Sequence, residues 1–116
     1  MKMMISGSRT INDYQLLEAA IAESAWEPTE IIAGGSSGVD KLAEQYAAHH
    51  GLPIIVLRPN WALHKRGAGH RRNEDMVNAC DVVVALWDAK SHGTAHAIEY
   101  ARGKGKPVYV MTVAQN

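Results

Sequence analysis

The chain has 116 residues, 47% of them apolar, with 12 Lys and Arg against 12 Asp and Glu and a single cysteine. That length suits one domain with one core, and the even charge excludes a polyelectrolyte tail and makes nucleic acid an unexpected partner. Cys80 alone permits neither an internal disulfide framework nor a CxxC motif. No apolar run suits a membrane span or a signal peptide, so the expectation is a single cytoplasmic domain over 1–116 with no membrane partner.

In chain order, Met3 to Ile5 reads as a first strand, closed by the loop Ser6-Gly7-Ser8-Arg9. Tyr14, Leu17 and Ile21 then share one helical face, with Asn12 and Asp13 placed as caps. A second strand, Ile31 to Ala33, runs into Gly34-Gly35-Ser36-Ser37-Gly38-Val39-Asp40, and Val39, Leu42, Ala43, Tyr46 and Ala47 fill the face of the next helix. Gly51 before Pro53 ends that helix ahead of the strand Ile54 to Leu57. A longer connection, Arg58 to Gly69, precedes a helix with Met76, Val77 and Cys80 on one face. The strand Val82 to Trp87 leads through Asp88 to Thr94 into a helix with Ala97, Ile98 and Ala101 inward. Gly103, Gly105 and Pro107 introduce the last strand, Val108 to Val113.

The strand runs are short, β-branched and without alternation, which marks strands covered on both faces. Strand–helix alternation with right-handed crossovers predicts an α/β fold: a three-layer α/β/α sandwich around a five-stranded parallel sheet, for which the doubly wound order 3-2-1-4-5 is the expectation. In that order the switch point lies between the first and fourth strands, where ligands bind beyond the carboxyl ends. The Ser6, Gly34 and Ser91 loops converge there.

Those loops carry the candidate site. Glycine admits close backbone approach, and a helix N-terminus favours an anion. Gly7, Ser8 and Arg9 from the first loop, Gly34, Gly35, Ser36, Ser37, Gly38 and Asp40 from the second, and Ser91, Gly93 and Thr94 from the third are therefore candidate ligand residues. Gly34 to Asp40 reads either as a phosphate cradle or as a tight turn whose Ser37 or Asp40 serves the helix start. No GxxxxGKS/T or GxGxxG motif is present. Arg58, Lys65, Arg66, Arg71 and Arg72 fall in an interval from Glu44 to Glu74 that has no acid between its ends, either as a basic face or as a solvated loop. Within it, Arg72 is the candidate phosphate partner and Trp61 either stacks on a base or pins the loop. His92 and His96 lie four apart but lack a third ligand, and His49-His50 suits the end of a helix, so neither metal nor cofactor is expected.

Taken together, Gly34-Gly35-x-x-Gly38-x-Asp40, Trp61 followed by Ala68-Gly69-x-x-Arg72-Asn73, and Ser91-x-Gly93-Thr94 with Gly105-Lys106-Pro107-Val108 resemble the YspA, or cpYpsA-related, family of the SLOG superfamily. The resemblance implies a Rossmann-like domain that binds a nucleotide or nucleotide-derived ligand such as ADP-ribose or NAD, as a homo-oligomer and in bacterial or phage conflict systems. It adds Asn73 to the candidate ligand residues. The superfamily also includes phosphoribohydrolases whose signature pairs an arginine segment with PGGxGTxxE. Here Arg72-Asn73-Glu74-Asp75-Met76 is similar to the first part and Gly93-Thr94 to the second, but Ala97 stands where that family has its catalytic glutamate. Glu99 lies about 200° around the helix from that position. The expectation is thus a binding or sensing domain with no assigned catalytic residue. Nucleotide N-glycosidase activity is the alternative, weakened by Ala97.

Overall fold

A computed structural model describes residues 1–114. The elements are β1 (Lys2–Gly7), α1 (Tyr14–Ser24), β2 (Glu30–Ala33), α2 (Val39–His50), β3 (Ile54–Val56), α3 (Trp61–His64), a 3₁₀ turn (Lys65–Gly67), α4 (Ala68–Ala79), β4 (Val82–Trp87), α5 (His92–Gly103) and β5 (Val108–Thr112). All five strands are parallel, in the order β3-β2-β1-β4-β5. This is a Rossmann-like α/β sandwich.

The pleat sorts each strand's residues between two cores. Met3, Ile5, Ile31, Ala33, Val82, Val84 and Leu86 face α1 and α2, joining Leu17, Ile21, Val39 and Tyr46. Met4, Ile32 and Val83 face α4 and α5, joining Met76, Val77, Cys80, Ala97 and Ala101. Burial on both sides explains the absence of alternation in the apolar runs. Cys80 is a buried small side chain whose Sγ–H donates to the Val77 carbonyl, and burial raises its thiol pKa.

Of Asn12 and Asp13, both placed as caps, Asp13 is the one that acts, and no side chain caps α2. Asp13 caps α1, its Oδ1 accepting from the Gln15 amide at 3.0 Å. The connection Arg58 to Gly69 is more ordered than a loop. Asn60 caps the single turn α3 by accepting from the Leu63 amide, and α4 begins already at Ala68. Among the described residues no helix is long and apolar enough to cross a membrane.

Candidate functional site

β1 and β4 are neighbours in the sheet, pairing Ser6 with Ala85 and Gly7 with Leu86 at their carboxyl ends. The chain leaves β1 toward α1 on one face and leaves β4 toward α5 on the other. Two connections that part in this way open a crevice between them. The crevice is a cleft of about 280 Å³.

Gly7, Ser8 and Arg9 form its β1 wall, and Ser91, Gly93 and Thr94 form the wall at the start of α5. Ser36 and Asp40 enter from the α2 side, and Arg72 and Asn73 from α4. Ten of the fifteen candidate residues are thereby brought to one cavity. Gly34, Gly35, Ser37 and Gly38 do not line the cleft, and Trp61 does not line it either. The tryptophan is 56% exposed at the first position of α3.

The glycines of the β2–α2 loop serve packing inside the protein. A Cβ on Gly34 would lie 2.4 Å from the Arg72 Nη1 atom and 3.0 Å from Asp40 Oδ2. A Cβ on Gly35 would meet Arg58 at 2.7 Å. Arg72 Nη1 donates to the Gly34 carbonyl at 2.8 Å, and Arg58 Nη1 to that of Gly35 at 3.2 Å. Two residues of the basic interval therefore grip the loop, while Lys65, Arg66 and Arg71 remain on the surface, Arg71 beside Asp75.

The start of α2 is also engaged from within. Asp40 Oδ2 accepts from the Ser36 amide at 3.0 Å, and the Ser8 carbonyl accepts from the Val39 amide at 3.3 Å. The start of α5 is different. No side chain caps it, its first turn holds no acid, and Ser91, Gly93 and Thr94 present it to the cleft. A helix start of this kind is a ready anion site.

Other polar side chains brace the walls. Ser8 Oγ accepts from the Asp88 amide at 3.1 Å and lies 3.0 Å from Ser91 Oγ, tying the first loop to the last. Asp88 accepts from the Lys90 and Ser91 amides, and these bonds hold its pKa down at about 2. Asn73 Nδ2 donates to the Gly93 carbonyl at 3.1 Å, and its Oδ1 accepts from Arg72 Nε. Arg9 is exposed, and no hydrogen bond among the described residues engages its guanidinium.

Burial pushes the Asp40 carboxyl above its usual range, opposed by the Ser36 amide and the Arg72 charge. Burial also lowers the Arg72 guanidinium, with Asp40 opposing and Arg9 adding to the fall. A carboxyl with a raised folded pKa binds more protons native than unfolded. Its contribution to stability is thus fully present below the unfolded pKa and is lost as pH rises through the folded one. Asp40→Asn is expected to remove this descending limb. Urea denaturation of both proteins should show the parent losing stability relative to the variant from about pH 4 upward. A difference that stays flat with pH would show that Asp40 is not the responsible group.

Ser6, Thr10 and Met76 also line the cleft and were not among the candidates. Ser6 was legible in principle: it follows Met4 by two along β1, which turns it toward α4 and α5. Ala97 is fully buried in the core beneath α5, and Glu99 is exposed beside His96 and Tyr100, so neither belongs to the cleft. Asp40 is the only acidic residue on the wall among the described residues.

Fold and cleft together define a Rossmann-like α/β protein with a polar cavity at the switch point of its sheet. Within that class the chain belongs to the YspA, cpYpsA-related SLOG family, whose profile matches residues 1–64. The Gene 61 protein of Mycobacterium phage D29 is 30% identical over 116 residues, spanning 92% of this chain and 93% of the phage protein. DNA processing protein A from Streptococcus pneumoniae shares the fold with a TM-score of 0.79 at 17% identity, over 97% of this chain and 50% of the pneumococcal one. This chain thus spans about half of that protein's length. The Helicobacter pylori protein of the same name superposes with a TM-score of 0.75 at 24% identity, over 100% of this chain and 67% of its own.

The H. pylori structure is described for its single-stranded DNA binding mode, which overturns the expectation that nucleic acid is an unlikely class of partner. That expectation rested on net charge, which averages over the whole surface. Binding depends on where the charges stand.

Proposed function

We propose that this protein binds a nucleotide or a nucleotide-derived, ADP-ribose-like or NAD-like ligand, with a phosphate at the start of α5 between Arg9 and Arg72. The observation that carries this reading is the uncapped, acid-free first turn of α5 opening on a cleft that also holds two arginines. The site differs from the sequence expectation in one respect: the first turn of α2 carries the acid Asp40 and its Val39 amide already donates to the Ser8 carbonyl, so α5 takes the phosphate. The cleft volume of about 280 Å³ falls just below the range of small-molecule sites, about 300–1,000 Å³. It suits a mononucleotide portion better than a whole dinucleotide. Binding or sensing is favoured over N-glycosidic cleavage because Asp40, the only acid on the wall among the described residues, is held by the Ser36 amide. Homo-oligomerisation and a role in conflict systems come to this proposal through the family resemblance alone.

Calorimetric titration with AMP, ADP-ribose and NAD tests the reading, with chromatography of the solution for released base. At least one of these ligands is expected to bind without base release. Arg9→Ala is expected to weaken binding by roughly 10- to 100-fold, the worth of a charge-assisted hydrogen bond, at unchanged melting temperature. A variant that binds like the parent would place the phosphate elsewhere, and free base would make the protein a glycosidase.

A second reading, single-stranded nucleic acid, is favoured by the exposed Trp61 next to Lys65 and Arg66 in the interval without acids. Aromatic stacking beside basic side chains is how unpaired bases are held without sequence preference. Trp61 lies off the cleft wall, so a base stacked there would suit a strand running along the surface. A labelled oligodeoxynucleotide in the same titrations separates the readings. Saturation by the oligonucleotide with a steep salt dependence, and none by the mononucleotides, would favour this second one.

A further inference from the structure

The end of α2 meets the middle of α1 in a cluster that the cleft does not use. Helices of this fold run antiparallel to the strands, so the last residues of α2 lie at the amino edge of the sheet, away from the cleft. Glu18 of α1 accepts from the Tyr14 hydroxyl at 2.6 Å, one turn earlier on the same helix. The same oxygen, Oε1, lies 2.7 Å from His50 Nε2. Tyr46 stacks on the His50 ring with centroids 4.1 Å apart, and His49 makes edge contacts with Tyr14 and His50. Two tyrosines therefore orient a carboxylate and two adjacent imidazoles. One ligand atom from each of Glu18, His49 and His50 lies within 4.8 Å of the other two.

We propose that Glu18, His49 and His50 form a binding site for a divalent transition metal of the zinc class. Bonds of about 2.0–2.2 Å in tetrahedral geometry place ligand atoms about 3.3–3.5 Å apart. The present spacing of at most 4.8 Å needs a closure of up to about 1.5 Å, while Glu18 Oε1 and His50 Nε2, now 2.7 Å apart, open slightly to admit the ion. The side chains of His50 and Glu18 are 38% and 31% exposed, so their terminal torsions can supply it without moving either helix. Two imidazoles and one carboxylate suit zinc, cobalt or nickel, whereas calcium and magnesium require oxygen ligands. The Tyr14 hydroxyl on the carboxylate is the kind of outer partner that orients a metal ligand.

Glu18 and His50 also line a groove of about 430 Å³ together with Trp26, Tyr46 and Leu52. None of its lining residues is shared with the cleft. Three protein ligands leave a fourth position for water or a small donor ligand, and two of the three line this groove. The inference is independent of the nucleotide reading, because it rests on different residues at the other edge of the sheet.

Calorimetric titration of the EDTA-treated full chain with zinc chloride tests it. Cobalt chloride, whose visible absorption reports tetrahedral coordination, is the second probe. One metal per chain is expected, with a raised melting temperature. His49→Gln, at an exposed position that leaves the Glu18–His50 contact in place, is expected to weaken binding by more than roughly tenfold. His92→Gln, distant from the cluster in the fold, is expected to bind like the parent. Absence of zinc binding in the parent, zinc binding unchanged in His49→Gln, or loss of zinc binding in His92→Gln would each overturn the site.

Discussion

Arg72→Ala is expected to lose ligand binding and fold stability together, which separates it from Arg9→Ala. Its guanidinium spans the Gly34 carbonyl at 2.8 Å and the Asn73 side chain at 2.9 Å, with the Leu57 carbonyl at 3.5 Å. It thereby ties the ends of β2 and β3 to α4, and its charge also faces Asp40. Truncation leaves buried acceptors without a donor and a buried carboxyl without its cation, a loss of about 2–4 kcal/mol. For a chain of this size the melting temperature should fall by roughly 10 °C. Removing the second cationic partner of the phosphate should raise Kd by roughly 100-fold or more. Arg72→Lys restores the charge without the planar fork and should recover part of the binding but little of the stability. Calorimetry and thermal unfolding on the two variants check this. Parent-like stability in Arg72→Ala would show that the bridge across β2, β3 and α4 is dispensable.

Gly38→Ala is expected to unfold the protein or leave it barely folded. Gly38 precedes α2 with φ +69°, and a Cβ there would lie 2.4 Å from the Arg9 carbonyl oxygen and 2.5 Å from that of Ser8. Those neighbours are backbone, and the Ser8 carbonyl already accepts from the Ile11 and Val39 amides. Neither side can give way cheaply. Strain at a positive φ and an overpacked contact together cost about 3–5 kcal/mol. That is much of the stability of an ordinary domain. Gly69→Ala is the matched control, since a Cβ at that position in α4 meets nothing within 4 Å. It should be neutral or slightly stabilising, because alanine is the better helix former. Circular dichroism melts decide the case, and a Gly38→Ala protein melting with the parent would show that the first and second loops are not locked together.

The strands and helices were legible because each is set by side chains a few residues apart. Val82 to Leu86 is an unbroken apolar run because β4 is covered on both faces, and Tyr14, Leu17 and Ile21 share the inward face of α1. Asp13 could be recognised as a cap because its partner is the amide only two residues on. From such elements a doubly wound order could be expected, which the sheet has, and with it the convergence of three loops at the switch point.

Which polar groups face a ligand and which are spent on the fold could not be read in the same way. Ser8 reaches Asp88 and Ser91, 80 and 83 residues away, and Arg72 reaches Gly34 across 38. The cluster of Glu18 with His50 joins residues 32 apart. The small spacings in the sequence determined five strands, their covering helices and the edge of the sheet where loops gather. The tertiary structure alone decided that Gly34 makes room for Arg72, that the Ser8 carbonyl takes the Val39 amide at the start of α2, and that the start of α5 stays open. The physical reason is range: helical and strand periodicity is written within a turn or a pleat, whereas a hydrogen bond between loops exists only once the sheet has brought its strand ends together.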